Sequence, residues 1–158
     1  MEWTKLKFGR HKGKKLPKIL FSDPSWFFDA YKNKIFQQLQ PDLMPEVKDI
    51  YQKARHILPK RSNCRIECFV KNNTFVAFQA VHKESPLREI EDFDSFHHPV
   101  VDMNFPMEIA GMTDPEGNKE LLLGIKMYIF NNSNIRFTNA ICEDFFNDNN
   151  NFDMESSD

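Results

Sequence analysis

The residues best suited to chemistry in this 158-residue chain are crowded near its start. From Lys5 to Lys18 there are seven Lys or Arg and no acid. Gly9 and Gly13 bracket Arg10, His11 and Lys12. Glycine lets backbone N–H groups come close to an anion, while Lys and Arg neutralise phosphates. The chemistry expected is capture of a polyanion backbone by Lys5, Lys7, Gly9, Arg10, His11, Lys12, Gly13, Lys14 and Lys15, with His11 donating to a phosphate or stacking on a base. The plainer alternative is a turn shaped by its glycines and surrounded by solvated lysines. Trp3, Trp26 and Phe27 are candidates for base stacking, although aromatic residues at helical spacing more often build a core.

Other reactive residue types form weaker patterns. There is no G-x-x-x-x-G-K-[ST] phosphate loop, G-x-G-x-x-G, H-E-x-x-H or G-x-S-x-G. His97 and His98 with Asp94 and Asp102 form one candidate metal or acid–base cluster, but adjacent histidines on an extended segment point to opposite faces. Glu89, Glu91, Asp92 and Asp94 would suit Mg²⁺ in a nuclease, or simply a solvated acidic loop. Cys64 and Cys68 would offer two zinc ligands, completed by His97, His98 or Cys142, or else fill a core as small apolar residues. The favoured reading has no metal, no cofactor and no catalytic constellation, which leans away from an enzyme.

The run Phe8-Gly9-Arg10-His11-Lys12-Gly13-Lys14 is followed by Leu16, Ile19, Asp23-Pro24 and Trp26-Phe27. Residues 4–40 thereby resemble the small C-terminal module found behind the nuclease of exodeoxyribonuclease X-like proteins. That family's pattern is F-G-K-[HY]-K-G-K, a hydrophobic position, then D-P and aromatics opening a helix. At Trp26-Phe27-Phe28 this chain departs from the family's Tyr-Leu-x-Trp-like run. The resemblance implies association with DNA-processing proteins and no catalysis, because the exonuclease's acidic metal-binding residues belong to a domain not represented here. Residues 63–158 resemble no family.

The net charge of −2 conceals a split: residues 1–61 carry +8 and residues 62–158 carry −10. Such asymmetry points to a polyanion-facing surface with an acidic counterpart, or to two halves that partly neutralise each other. Three cysteines and no apolar leader behind the first basic residues suggest a reducing, cytoplasmic compartment. No apolar run reaches the length of a membrane span, and 41% hydrophobic with 28% charged residues suits a globular protein.

These residues need elements to position them. Leu6 and Phe8 alternate with Lys5 and Lys7, as in a strand with one buried face, and a tight turn and a second short strand follow. Asp23-Pro24 opens a helix running to Leu39, and a second helix runs from Pro45-Glu46 to Leu58. At 59–63 both periodicity and charge sign change, giving an internal boundary. Beyond it, Ile66, Cys68 and Val70 alternate, and Lys71 to Thr74 is a turn leading into a strand over 75–82. Segments 100–105 and 107–112 read as short strands, 114–118 as a turn, and Leu121 to Phe130 with Ile135 to Cys142 as a hairpin. The last residues, 143–158, hold six acids and no base, and read as a disordered tail.

The fold expected is α+β: a basic β-turn with two helices over 1–60, an antiparallel sheet of about five strands over 63–142, and the acidic tail. The function expected is a non-enzymatic nucleic-acid-binding accessory protein of DNA metabolism, phage or mobile-element encoded, whose partner is nucleic acid (DNA before RNA) or a DNA-processing protein, and not a membrane. The alternative is an interaction or inhibitor protein whose acidic half imitates nucleic acid or binds a basic partner.

Overall fold

The computed structural model describes residues 1–87, 91–110 and 115–154. At the start, Lys5 and Lys15 form an antiparallel bridge. Inside it, Leu6 N–H donates to Lys14 O at 2.8 Å and Gly13 N–H donates to Leu6 O at 2.7 Å. Leu6 is buried while Lys5 and Lys7 are exposed, the period of two expected from their alternation.

Five short helical pieces follow: α1 (Leu16–Leu20), α2 (Pro24–Lys32), α3 (Ile35–Leu39), a 3₁₀ turn (Pro41–Leu43) and α4 (Met44–Ala54). The single helix expected over 24–39 is therefore two. Lys34 takes a left-handed backbone, φ 59°, which ends α2 and redirects the chain. The break brings Phe36 against Phe8, Trp26 and Phe27, with ring centroids 5.5–6.0 Å apart. The second expected helix ends at Ala54, because Ile57 is needed elsewhere: it exchanges backbone hydrogen bonds with Val101 and bridges Phe152.

The α+β class is as expected, with a smaller sheet. β1 (Cys64–Lys71), β2 (Thr74–His82) and β3 (Asp94–His98) pair antiparallel in the order β2-β1-β3. The β1–β2 turn uses Asn72 and Asn73 at φ 52° and 60°, and Asn is among the few non-glycine residues that accept two left-handed positions in a row. Cys68 sits opposite Phe78 on one side and Phe96 on the other; Cys68 and Phe78 are buried, while Phe96 at the β3 edge is exposed.

Of the remaining expected strands, 100–105 keeps only an isolated bridge, Val101 to Ile57, and 107–112 is helical over its described residues, as part of α5 (Phe105–Ala110). α6 (Pro115–Gly124) passes directly into a π turn over Ile125–Ile129. The apolar run Leu121 to Phe130, expected as a hairpin strand, is helical; a continuously buried strand and a buried helix look alike by periodicity. Gly124 explains why this helix can lie on β2: a Cβ there would overlap the Phe78 ring. The segment read as the second hairpin strand holds α7 (Asn139–Asn147), capped by Thr138, whose hydroxyl accepts Ile141 N–H at 3.2 Å.

The acidic segment is not a disordered tail over its described residues. Cys142, Phe145 and Phe146 recur at three and four residues and are buried by α7, and Phe152 is buried beyond it. Phe21, Phe145, Phe146 and Phe152 pack ring to ring at 5.1–5.6 Å. One cluster of buried side chains runs from Trp3 to Phe152 and crosses the 59–63 boundary. Trp3 Nε1 donates to Asn147 Oδ1 at 3.0 Å, fastening the first residues to α7.

Candidate nucleic-acid interface

The basic turn is a short extended loop held on an aromatic block. Gly9 and Gly13 have φ of +71° and +87°, the positive values for which glycine is suited. Lys12 N–H donates to Gly9 O at 3.2 Å and Lys14 N–H to His11 O at 3.0 Å, closing two successive turns. Gln40, buried at the end of α3, accepts Lys7 N–H at 2.9 Å and donates to Lys5 O at 3.2 Å. Beneath lie Phe8, Trp26 and Phe36, mutually 5.8–6.3 Å apart.

These constraints sort the expected contact residues. Lys5, Lys7, Lys12 and Lys14 are exposed and have no acidic partner among the described residues. Arg10 is also exposed, 68% for its side chain, while one end of it reaches Asp23 Oδ2 at 3.3 Å. Lys15 is different: it pairs with Glu143 of α7 at 3.3 Å. Lys18 turns to the Phe137 carbonyl.

His11 faces inward. It is 6% exposed, its Nε2 donates to Asp23 Oδ2 at 2.9 Å, and its ring stands edge-on to Trp26 at 4.9 Å. In this arrangement it is occupied as the peg that fixes the turn and is not presented to a phosphate or base. Trp3 and Phe27 are likewise buried, and Trp26 is half-buried under His11 and Phe8, so the expected stacking aromatics serve the core.

Asp23 stands at the start of α2, but its side chain caps nothing there. Instead it receives Arg10 and His11 on Oδ2, and Ser25 and Asn118 on Oδ1 at 3.4 and 3.3 Å. Sequence reasoning missed this role and Gln40's: the motif running from Phe8 to Pro24 holds His11 and Asp23 together but gives no sign of their contact, and it does not reach Gln40.

The other candidate clusters are dispersed. His97 and His98 point to opposite faces, as alternation requires: His97 Nδ1 approaches Glu67 Oε2 at 3.8 Å, and His98 stacks edge-on to Phe105 at 4.9 Å. Burial lowers the His98 pKa, with Asp102 pulling the other way. Asp102 is held by Arg55 Nε and Nη2 at 3.2–3.4 Å, a charge-assisted fork. Burial pushes the Cys68 thiol up to about 12 and Cys142 to about 11, far from the thiolate form that a metal or a nucleophile needs. Among the described residues no three His, Cys, Asp or Glu gather as a metal set. Of the acidic loop, Glu91, Asp92 and Asp94 are exposed, and Glu89 lies outside the described residues. Among the described residues no helix is long and apolar enough to cross a membrane.

No family model matches the chain, and no curated protein or solved structure matches it. The functional reading therefore rests on the site.

Proposed function

We propose that this chain is a non-enzymatic nucleic-acid-binding protein that grips the phosphate backbone through Lys5, Lys7, Arg10, Lys12 and Lys14, and serves as an accessory in DNA metabolism. One observation carries the reading: four lysines without acidic partners among the described residues stand on a turn whose backbone is pinned from below. A solvated charge run has no need of such bracing. Bracing fixes the spacing of the charges, and a phosphate backbone offers charges at fixed spacing. The resemblance of residues 4–40 to the exodeoxyribonuclease X C-terminal module supports DNA over RNA.

Such binding is sequence-tolerant and salt-sensitive, since each neutralised phosphate releases counterions. Gel shifts with single- and double-stranded DNA and RNA, with and without Mg²⁺, should show retarded, intact nucleic acid. With about four contacts, log affinity should fall against log salt with a slope of about −3 on single strands. Lys12→Ala/Lys14→Ala should flatten that slope by about 1.4 while the protein stays folded. An unchanged slope removes the turn as the site, and Mg²⁺-dependent cleavage replaces the reading with a nuclease.

A further inference from the structure

Behind the basic turn, α2, α3 and α4 enclose a cleft of about 290 Å³. Its apolar wall is Tyr31, Phe36 and Met44, and its charged rim is Lys32, Lys34 and Lys48. The three lysines are exposed and have no acidic partner among the described residues. Two nearby acids are already engaged: Glu46 accepts Thr4 N–H at 2.8 Å, and Asp49 pairs with Lys53 at 3.1 Å. The adjoining cleft, about 330 Å³, shares Tyr31 and Lys32 but is rimmed by Asp29 and Glu108. Charge therefore distinguishes the two, and only the first suits an anion.

The cleft and the turn are parts of one assembly. Phe36 on the cleft wall packs against Phe8 and Trp26 beneath the turn, at 6.0 and 5.8 Å. Gln40, one residue past α3, holds the backbone of Lys5 and Lys7. Lys34 is kept in the left-handed conformation, φ 59°, uncommon for a residue other than glycine. That backbone places Lys34 on the lining of the cleft, between α2 and α3.

We infer that this cleft takes one nucleotide of the strand held by the turn, its phosphate among Lys32, Lys34 and Lys48 and its base against Tyr31 and Met44, over the buried Phe36. The inference rests on the proposed function and adds the ligand class, single-stranded nucleic acid. Paired bases in a duplex are stacked inside it and cannot enter a side pocket, whereas an unpaired strand can turn a base out. The volume lies at the small end for ligand sites, which run from about 300 to 1,000 Å³, so it suits one nucleotide and not several.

The test compares three proteins: wild type, the turn variant Lys12→Ala/Lys14→Ala, and the cleft variant Lys34→Asn/Lys48→Gln. Asn is chosen at 34 because it tolerates a left-handed backbone. Each is titrated against oligothymidylate and against a duplex of the same length, and wild type is photo-crosslinked to oligothymidylate carrying one iododeoxyuridine. The cleft variant should lose about tenfold in single-strand affinity and about 0.7 in single-strand salt slope, one phosphate's worth, and keep its duplex binding. The turn variant should lose on both ligands. The crosslink should map to Tyr31 or Met44. A cleft variant that binds like wild type, or that loses equally on both ligands, overturns the cleft assignment and leaves the turn standing. So does a crosslink confined to residues 5–15. A turn variant that binds like wild type overturns the proposed function itself, and absence of binding by wild type overturns both.

Discussion

At the basic turn, Lys5, Lys7, Lys12 and Lys14 stand in solvent without acidic partners among the described residues, whereas the acidic segment from Glu143 onward sends Phe145, Phe146 and Phe152 into the core. Both segments are rich in one sign of charge, and both carry aromatic residues. The difference lies in spacing. Leu6 and Phe8 alternate with lysines, so burying one side chain exposes the next. Cys142, Phe145 and Phe146 share one helical stripe, so burying it leaves Asp144 on the outside as ordinary surface. Charge density alone does not tell a binding surface from a structural helix. What distinguishes the turn is that its backbone is braced while its charges are left unpaired.

The comparison is broken most directly at Phe146, which is fully buried among Phe21, Phe145 and Phe152. Phe146→Ala should cost about 3–5 kcal/mol, the usual range for a buried Phe. At roughly 2–4 °C per kcal/mol for a chain of this size, the melting temperature should fall by about 6–20 °C in a circular-dichroism melt. Lys12→Ala/Lys14→Ala should stay within about 0.5 kcal/mol of wild type, as exposed substitutions do. A Phe146→Ala loss below about 1 kcal/mol would mean that the acidic segment is peripheral after all.

Asp23 sharpens the comparison from the other side, because its carboxylate braces the turn without displaying anything. Its side chain is 18% exposed and that of His11 only 7%. Asp23→Ala leaves the His11 nitrogen buried without its acceptor, and also removes acceptors from Arg10, Ser25 and Asn118. The expected cost is about 2 kcal/mol, in the range for hydrogen bonds to a charged group. Nucleic-acid affinity should fall a few-fold although no exposed lysine has changed. Unaltered affinity at reduced stability would show that the lysines act without the brace.

Much of the first sixty residues was legible in advance. The β-turn, the positive φ at Gly9 and Gly13, and helix starts near Pro24 and Pro45 all follow from local chemistry, as does the Asn72-Asn73 turn. The stretch after residue 100 was not. Its apolar runs are continuous, which removes the periodic signal, and the glycine that seats α6 on β2 is legible only with Phe78 in view. Asn-rich composition made the last segment resemble a solvated tail, although the three-and-four spacing of its Cys and Phe residues was present to be read. At the site, exposure of the lysines was legible, but the inward turn of His11 depends on Asp23 and Trp26, which come from another element.

The smallest effect concerns Lys15 and Glu143, which among the described residues form the ion pair joining the basic turn's end to the acidic helix, at 3.3 Å. Both side chains are partly in water, 30% and 23% exposed. Pairs of this kind are weakened by solvent and by the entropy of holding two long side chains, and are worth about 0.2–1 kcal/mol. A double-mutant cycle with Lys15→Gln and Glu143→Gln should give a coupling of about 0.5 kcal/mol at low salt, shrinking as screening shortens to about 8 Å at physiological ionic strength. The consequence for binding has a definite sign. Glu143→Gln releases Lys15 as a sixth cation beside the turn, so single-strand affinity should rise slightly and the salt slope should steepen by up to about 0.7. Lys15→Gln should leave the slope unchanged, because in the intact protein Lys15 is already neutralised. A slope that flattens in Lys15→Gln would place Lys15 among the phosphate contacts in spite of its pairing. It would also mean that α7 yields its partner when nucleic acid arrives, and the division between a displaying end and a structural end would then have to be redrawn at this pair.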